Sequence, residues 1–262
     1  VSSVFILTVL ACFLGGSAAA QPLPQPSFYC TYDESSLPDF AAGARDVGLA
    51  ARDAILYEAE TQWATQKESA LPAGKVGKAW LFETGGKSYP VQGNFSPLRG
   101  TVMMWVQPQW EGTRTDLYAT FFGCRNWGLV YKYTTQDYVT FGWIKDDGNF
   151  TYGATGSVKD WKPGEWHHVA VTYDAVDAKK RWTYLDGKLT DSQEIASYRD
   201  CDPTFVVGSS YGGVNPAQSL IDEVALFDRP LSESEIASAH RLGAEGKPLF
   251  AGLDNRAEAK AV

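Results

Sequence analysis

The sequence predicts an all-β domain, folded as a sandwich or a barrel. From Phe28 onward, short segments in which apolar and polar residues alternate are separated by clusters of Gly, Asn, Asp and Pro. Alternation with a period of two places one set of side chains on one face of a strand. Residues 101–107 (TVMMWVQ) show this pattern, because Val102, Met104 and Val106 fall on the same face.

Two segments predict hairpins. Residues 138–144 (YVTFGWI) run into the turn-forming cluster DDGN at 146–149, and residues 150–152 then return. Residues 181–189 (RWTYLDGKL) contain Asp186-Gly187, a dipeptide typical of a two-residue type I′ turn. The same alternation predicts three more strands, at 166–173, 205–207 and 219–227.

One helix is predicted near the carboxyl end. Ser232 and Glu235 have the spacing of a capping box, in which each side chain binds the backbone of the other residue. Ile236 and Ala239 then share one helical face, and Gly243 is expected to end the helix. Residues 41–66 remain ambiguous, because their Ala, Glu and Arg content favours a helix while their apolar spacing is irregular.

The amino-terminal segment predicts export. Residues 4–14 form an uninterrupted apolar run, and small residues follow it as far as Ala20, which is the pattern of a signal peptide. We expect a signal peptide at 1–20 and a Pro-rich linker at 21–27, and a secreted, periplasmic or cell-surface protein with no membrane span after cleavage. No Lys or Arg precedes the apolar run, and the alternatives are a membrane anchor or a lipoprotein acylated at Cys12.

The charge of the chain argues against two classes of partner. The formal net charge is −8, and Lys and Arg form no run longer than three residues along the sequence. Nucleic acids and anionic membranes both require a cationic surface. We therefore expect neither as a partner.

Three cysteines remain after the predicted cleavage: Cys30, Cys124 and Cys201. They can form at most one intramolecular disulfide, and their order along the chain leaves all three pairings open. Their spacing matches no metal-binding pattern.

A series of motifs resembles the laminin-G-like domains of the concanavalin A-like lectin/glucanase superfamily, as found in bacterial exported proteins. The clearest is 164–174 (GEWHHVAVTYD), which is similar to the W-H-H-V-A-x-T-Y-D strand of that family. The resemblance covers roughly residues 28–243 and includes 31–33 (TYD), 74–82 (GKVGKAWLF), 100–108 (GTVMMWVQP), 184–189 (YLDGKL), 207–209 (VGS) and 221–232 (IDEVALFDRPLS).

The resemblance implies an antiparallel jelly-roll β-sandwich of two sheets with a short C-terminal helix. We expect this domain to span residues 28–245 and to be followed by a flexible tail at 246–262. The family also implies that the first strand pairs with the closing strand at 221–227.

The sequence lacks the motifs of an enzyme. Laminarinase-like members of the superfamily carry the pattern E-x-D-x-x-E on one strand to supply two carboxylates to one site, and no such pattern occurs here. The neighbouring acids Asp222 and Glu223 would point to opposite faces of a strand, as would His167 and His168. The pattern H-E-x-x-H is also absent, so we expect no catalytic activity.

The resemblance implies a structural calcium ion near the chain-end strands. By analogy, its ligands in this sequence would be Asp33, Glu83 and Asp222, although relatives more often have Asp or Asn where Glu83 stands. Calcium needs six to eight oxygen ligands, so backbone carbonyls would have to complete such a site.

Aromatic residues predict a carbohydrate site. Nine Trp and thirteen Tyr are many for this length, although sandwiches use most such rings in the core and in cross-strand pairs. A site for a small ligand combines an apolar wall with a few placed polar groups. The candidate ligand-binding residues are Arg125, Asn126, Trp127, Tyr131, Trp143, Tyr211 and Asn215.

We therefore predict an exported, non-catalytic module that recognises an extracellular glycan or glycoprotein. A protein-binding adhesion or structural module of the laminin-G kind is the alternative. A divergent glycoside hydrolase of the same fold is a third possibility.

Overall fold

A computed structural model describes residues 22–51, 54–56 and 71–253. These residues form seventeen strands and one helix. In chain order the elements are β1 (Phe28–Cys30), β2 (Phe40–Ala41), β3 (Gly48–Ala51), β4 (Ala54–Leu56), β5 (Trp80–Phe82), β6 (Gly86–Pro90), β7 (Arg99–Pro108), β8 (Ala119–Cys124), β9 (Gly128–Lys132), β10 (Tyr138–Ile144), β11 (Phe150–Thr151), β12 (Thr155–Ser157), β13 (His167–Asp174), β14 (Lys180–Leu185), β15 (Lys188–Glu194), β16 (Thr204–Val207), β17 (Ser219–Phe227) and α1 (Glu233–Ala244).

The strands form two antiparallel sheets. The first sheet has the order β15-β14-β13-β7-β17-β1-β2, and β5 also pairs with β17. The second sheet has the order β11-β10-β9-β8-β16-β6-β3-β4, and β12 also pairs with β10. The predicted all-β jelly-roll sandwich with a short C-terminal helix is confirmed. Within the described ranges, no helix has the length and apolar character needed to span a bilayer.

The two ends of the domain meet in the first sheet. Strand β1 pairs with β17, with Phe28 opposite Leu226 and Cys30 opposite Val224. Strand β17 also pairs with the ten-residue strand β7. The expected pairing of the first and closing strands is therefore confirmed.

The predicted hairpins are also present. Strand β10 has the predicted bounds and pairs with β11, with Trp143 opposite Thr151. Between β14 and β15, Asp186 has φ +48° and Gly187 has φ +75°. Positive φ at both central residues is the requirement of a type I′ turn, so the Asp-Gly signal predicted this turn correctly.

The main core lies between the sheets. Val102, Met104 and Val106 of β7 belong to it, together with Val169 and Val171 of β13. These are the faces that the alternation predicts. Burial of a large apolar side chain stabilises the fold by about 1.5–3 kcal/mol, and this interior accounts for most of the strand pattern in the sequence.

A second apolar cluster covers the outer face of the first sheet. Ile236 and Ala239 of α1 pack there against Tyr29, Met103 and Ala170. Both predicted hydrogen bonds of the capping box at the start of α1 are present. The helix thus begins where the sequence predicts.

The end of α1 differs from the prediction. Gly243 lies inside the helix and close to Trp105, and a Cβ at this position would stand 2.2 Å from the indole nitrogen of Trp105. The helix cap is Glu245, and Gly246 has φ +70°. The prediction that Gly243 ends the helix is therefore wrong, because this glycine allows close packing and Gly246 makes the turn.

Both flanking segments pack on the first sheet. Leu249 is buried in the second cluster and the Phe250 ring packs against Tyr29, so this part of the predicted tail contacts the domain. Residues 254–262 lie outside the described ranges. Leu23, in the predicted linker, packs on the same cluster, and the backbone nitrogen of Ser27 donates to Leu226 O over 2.8 Å.

The ambiguous stretch 41–66 contains strands where it is described. Strands β3 and β4 pair with each other, and β3 pairs with β6. Helix propensity is a weak preference that tertiary pairing overrides, and here the edge of β6 provides the pairing. Residues 52–53 and 57–66, like the predicted signal peptide at 1–20, lie outside the described ranges.

Candidate functional site

A groove of about 820 Å³ lies on the outer face of the second sheet. Its position follows from the strand alternation. Val130 of β9 faces the core, so its neighbour Leu129 points away from the core and into the groove. The residues that line the groove are Tyr118, Arg125, Leu129, Phe150, Tyr152, Asp202, Thr204, Ser210, Tyr211, Gly212, Val214 and Asn215.

One wall of the groove is aromatic. Tyr118 stacks on Tyr131, with ring centroids 4.6 Å apart and planes inclined by 9°. Phe150 packs edge-on against Tyr152 over 5.2 Å, and Tyr152 packs against Tyr133 over 5.5 Å. Tyr152 is 57% exposed, so its ring is available to a ligand. Burial raises the pKa of Tyr118 to about 12, so this phenol keeps its proton at neutral pH and can donate a hydrogen bond.

A glycine in the strand beneath this wall leaves room for one of its aromatic rings. Phe150 of β11 sits over Gly142 of β10, and a Cβ on Gly142 would stand 2.0 Å from the Phe150 ring. Any larger residue at position 142 would push Phe150 off the sheet. Gly142 therefore helps to place the wall.

The opposite rim is polar. Asn126 donates from Nδ2 to Asp202 Oδ1 over 3.1 Å, and the Asp202 backbone nitrogen donates to Arg125 O over 3.1 Å. The Arg125 guanidinium lies 3.9 Å from the Asp202 carboxylate and 5.7 Å from the centroid of the Tyr211 ring. The rim thus presents a cation, a carboxylate and a ring side by side.

A short loop places Tyr211 and Asn215 at the groove. The backbone nitrogen and the hydroxyl of Ser210 both donate to Val214 O, over 3.0 and 2.8 Å. The Thr120 backbone nitrogen of β8 donates to Asn215 O over 3.1 Å. Hydrogen bonds within the loop and one hydrogen bond to the second sheet therefore hold the loop in place.

Four predicted ligand-binding residues lie at this site. Arg125, Tyr211 and Asn215 line the groove, and Asn126 binds the lining residue Asp202. The structure therefore brings together residues that stand far apart in the sequence.

The other three predicted residues lie below the surface. Trp127 and Trp143 are each 1% exposed and belong to the core between the sheets. Trp143 Nε1 donates to Ser197 O over 2.9 Å. Tyr131 is fully buried behind Tyr118. A ligand on the surface cannot reach these three rings. They therefore support the site from below and do not contact the ligand.

Sequence reasoning missed Tyr118, Phe150, Tyr152 and Asp202. A signal for two of them was present, because aromatic residues two positions apart lie on one face of an extended chain. Phe150 and Tyr152 have this spacing, as do Tyr131 and Tyr133, and the two pairs contact each other. Asp202 had no such signal, since the contact of its segment with the β8–β9 turn is tertiary.

Two of the predicted calcium ligands, Asp33 and Asp222, accept hydrogen bonds from the same loop at 76–78. Glu83 is exposed, whereas Asp222 is fully buried and accepts hydrogen bonds from the backbone nitrogens of Val76 and Glu223 over 2.9 and 2.7 Å. Asp33 Oδ1 accepts from the Lys78 backbone nitrogen over 2.6 Å. Among the described residues, no three His, Cys, Asp or Glu side chains form a group that could hold a metal. The calcium ion therefore stays a prediction that rests on the family resemblance.

The adjacent acids and histidines bind different partners, although the register shift of β17 after Asp222 interrupts the alternation that would place the two acids on opposite faces. Asp222 binds the loop around Val76, while Glu223 accepts from the Tyr29 hydroxyl over 2.6 Å. The His167 ring lies 3.1 Å from Asp186, while the His168 ring packs against Trp105 on the buried side. Neither neighbouring pair directs both of its side chains to the same binding partner.

The sequence comparison decides the family. Residues 84–237 match the concanavalin A-like lectin/glucanases superfamily. The chain belongs to this superfamily. The matched residues run from the end of β5 to α1 and include most of both sheets of this lectin-like domain. No curated protein matches the chain.

Solved structures share the fold of this superfamily member at low identity. The receptor binding domain of botulinum neurotoxin mosaic serotype C/D aligns with a TM-score of 0.60 and 12% identity, over 82% of this chain and 50% of that chain. The serotype D binding domain aligns with a TM-score of 0.58 and 13% identity, over 82% of this chain and 51% of that chain. The chain thus spans about half the length of these structures, and the likeness concerns the fold.

Proposed function

We propose that this lectin-like domain is a non-catalytic module that binds carbohydrate, free or on a glycoprotein, in the groove of the second sheet. The observation that carries the proposal is the aromatic wall facing a polar rim in one groove of about 820 Å³. Volumes of this order are typical of small-ligand sites.

The two sides of the groove match the two kinds of surface on a sugar. The exposed Tyr152 ring can pack against the apolar C–H face of a pyranose, while Arg125, Asp202 and Asn215 can bind its hydroxyl groups. Arg125 and Asp202 carry opposite charges 3.9 Å apart. Because these charges offset each other, the groove favours neutral saccharides over strongly anionic ones.

The acids present argue against hydrolysis at this site. A retaining or inverting glycosidase requires two carboxyl groups on either side of the scissile bond. Among the described residues that line the groove, Asp202 is the one carboxylate, and it is held by Asn126 and Arg125. This supports a binding role over the glycosidases that share the fold.

The test is a glycan array followed by calorimetric titration with the best neutral oligosaccharide. We expect Tyr152→Ala to weaken binding about tenfold or more, equivalent to at least ~1.4 kcal/mol, with an unchanged melting temperature. Tyr198→Ala is the matched control, because Tyr198 is also exposed, at 43%, and does not line the groove.

Three outcomes would contradict the proposal. Equal loss of affinity in Tyr152→Ala and Tyr198→Ala would remove the groove as the site. Binding of a protein with no glycan requirement would favour the adhesion module, and release of reducing sugar from a polysaccharide would favour the hydrolase.

We also propose that the protein is exported, which rests on the apolar run at residues 4–14 and the small residues that follow it. Amino-terminal sequencing of the protein recovered from its native compartment tests this. Gln21 at the mature end is the expected result, and an intact amino terminus on protein recovered from inside the cell would overturn it.

A further inference from the structure

Two of the cysteines meet under the rim of the groove. The Cys124 Sγ lies 3.9 Å from the backbone oxygen of Asp202, the residue next to Cys201, and Cys201 packs against the core cluster that contains Cys124. Cys124 is the last residue of β8 and is fully buried, while Cys201 precedes β16 and is partly exposed. The residue that follows each cysteine, Arg125 or Asp202, lines the groove.

The backbone around the two thiols is fixed by other contacts. Phe205 of β16 is paired with Cys124, and the Asp202 backbone nitrogen donates to Arg125 O over 3.1 Å. The Cys124 thiol donates to Thr204 O over 3.4 Å. The two chain segments therefore run side by side, and the proximity of the two cysteines follows from these backbone contacts. Cys30 lies in β1 of the other sheet, where its thiol donates to Leu37 O over 3.7 Å.

We propose that Cys124 and Cys201 form a disulfide that fastens the polar rim of the groove. The sequence leaves three pairings open, and the structure favours this one because, among the described residues, Cys124 and Cys201 lie in adjacent segments while Cys30 lies in the other sheet. The disulfide would tie the β8–β9 turn, which carries Arg125, to the segment that carries Asp202.

The chemistry requires an oxidant that itself contains a disulfide, either a small molecule or a thiol oxidoreductase. The Cys201 thiolate attacks the oxidant, breaks its S–S bond, releases one thiol and forms a mixed disulfide. The Cys124 thiol then loses its proton and attacks the sulfur of Cys201, which releases the second thiol of the oxidant. The two cysteines lose two electrons and two protons in total, and the oxidant disulfide is reduced to two thiols.

The environments of the two sulfurs suit this order of events. The neighbouring Cys124 side chain lowers the pKa of the Cys201 thiol, while the Cys201 side chain and burial raise the pKa of the Cys124 thiol. Cys201 is therefore the more readily ionised thiol as well as the accessible one, and the thiolate is the attacking species. Cys124 is shielded from external reagents and reacts with its neighbour.

The test is peptide mapping of the full chain after incubation with oxidised glutathione. Trypsin separates the two sulfurs, with Cys124 in peptide 115–125 and Cys201 in peptide 200–241, while the remaining cysteines lie in the peptide that ends at Arg45. We expect a linked pair of the first two peptides that disappears on reduction. We also expect reduction to lower the melting temperature by roughly 5–10 °C, because the bond closes a long loop.

Variants separate the pairing from other effects. Cys30→Ser should leave the linked peptides and the redox shift in melting temperature unchanged. Cys201→Ser should abolish both. Alkylation of both Cys124 and Cys201 after oxidation, or a linked peptide that contains Cys30, would overturn the proposal. These readouts need no ligand, so they stand or fall independently of carbohydrate binding.

Discussion

At the scale of single residues, the acid pair in β17 has an unusual environment. Asp222 and Glu223 are almost completely buried, and a register shift in the pairing of β17 with β7 lies between Asp222 and Ala225. Glu223 has φ +52° and accepts from the Tyr29 hydroxyl and the Leu249 backbone nitrogen over 2.6 and 2.8 Å. Burial raises the pKa of Glu223 to about 7 and holds the pKa of Asp222 well above its usual range.

This environment makes stability depend on pH. The pKa of Glu223 rises from its ordinary value of 4.5 in the unfolded chain to about 7 in the fold. The folded protein thus binds more protons between these values. The contribution to stability is complete below about pH 4.5 and is lost as the pH rises through about 7.

Replacement of this acid tests the effect. We compare the free energy of unfolding of Glu223→Gln with that of the parent. We expect the difference to shift in favour of the variant by roughly 3 kcal/mol between about pH 5 and about pH 8.5. Chemical denaturation at both pH values measures the difference. Glu194→Gln is the exposed control on β15. A difference between Glu223→Gln and the parent that is the same at both pH values would contradict the assignment.

At the scale of elements, a local capping box and a contact with Arg229 together fix the start of α1. The Ser232 hydroxyl accepts from the Glu235 backbone nitrogen over 3.3 Å, and Glu235 accepts from the Ser232 backbone nitrogen over 2.8 Å. Arg229 also binds Glu235 and lowers its pKa to about 2. These contacts fix the start of the helix that covers the outer face of the first sheet.

Removal of the cap should cost a predictable amount. We expect Ser232→Ala to destabilise the protein by about 1 kcal/mol, which corresponds to a decrease in melting temperature of roughly 2–4 °C. Ser232→Asp should restore most of the loss, since aspartate is also a good cap and carries a charge that suits a helix start. Calorimetric melting of the three proteins checks both expectations, and an unchanged melting temperature in Ser232→Ala would show that the cap is unimportant.

At the scale of the whole molecule, Arg181 joins the two sheets at the groove. It lies on β14 of the first sheet and is 1% exposed. Its guanidinium donates to the Thr151 hydroxyl and to Tyr152 O, both over 3.1 Å. These acceptors belong to the segment that carries Phe150 and Tyr152, so a residue of one sheet holds the aromatic wall of the other.

Loss of these hydrogen bonds should make the aromatic wall more mobile than the rest of the sandwich. We expect Arg181→Met to leave the Tyr152 carbonyl without its donor, at a cost of about 1–3 kcal/mol. Amide hydrogen exchange should then accelerate most at residues 150–153. Arg199→Met provides a control at an exposed arginine. Acceleration spread evenly over both sheets would show that Arg181 acts on global stability alone.

The site could be predicted in part, and the residues show why. Arg125, Tyr211 and Asn215 stand in turn-rich segments between strands, where side chains reach solvent, and they line the groove. Trp127 and Trp143 are predicted from their aromatic character, yet both point into the core. Residue type alone does not reveal the face of a strand on which a side chain lies. The direction of a side chain is equally hard to predict at an irregular turn such as the one at Asn126, which has φ +66°.

The sequence by itself determined the two-layer fold, most of the strands, the type I′ turn and the start of α1, because these depend on alternation, turn chemistry and capping within short stretches of chain. Only the tertiary structure decided the true end of α1, the packing of Leu249 against the first sheet, the proximity of Cys124 to Cys201 and the union of Arg125, Asp202 and Tyr152 around one groove. These features join residues from distant segments, and their positions depend on sheet order and register, which local patterns do not encode.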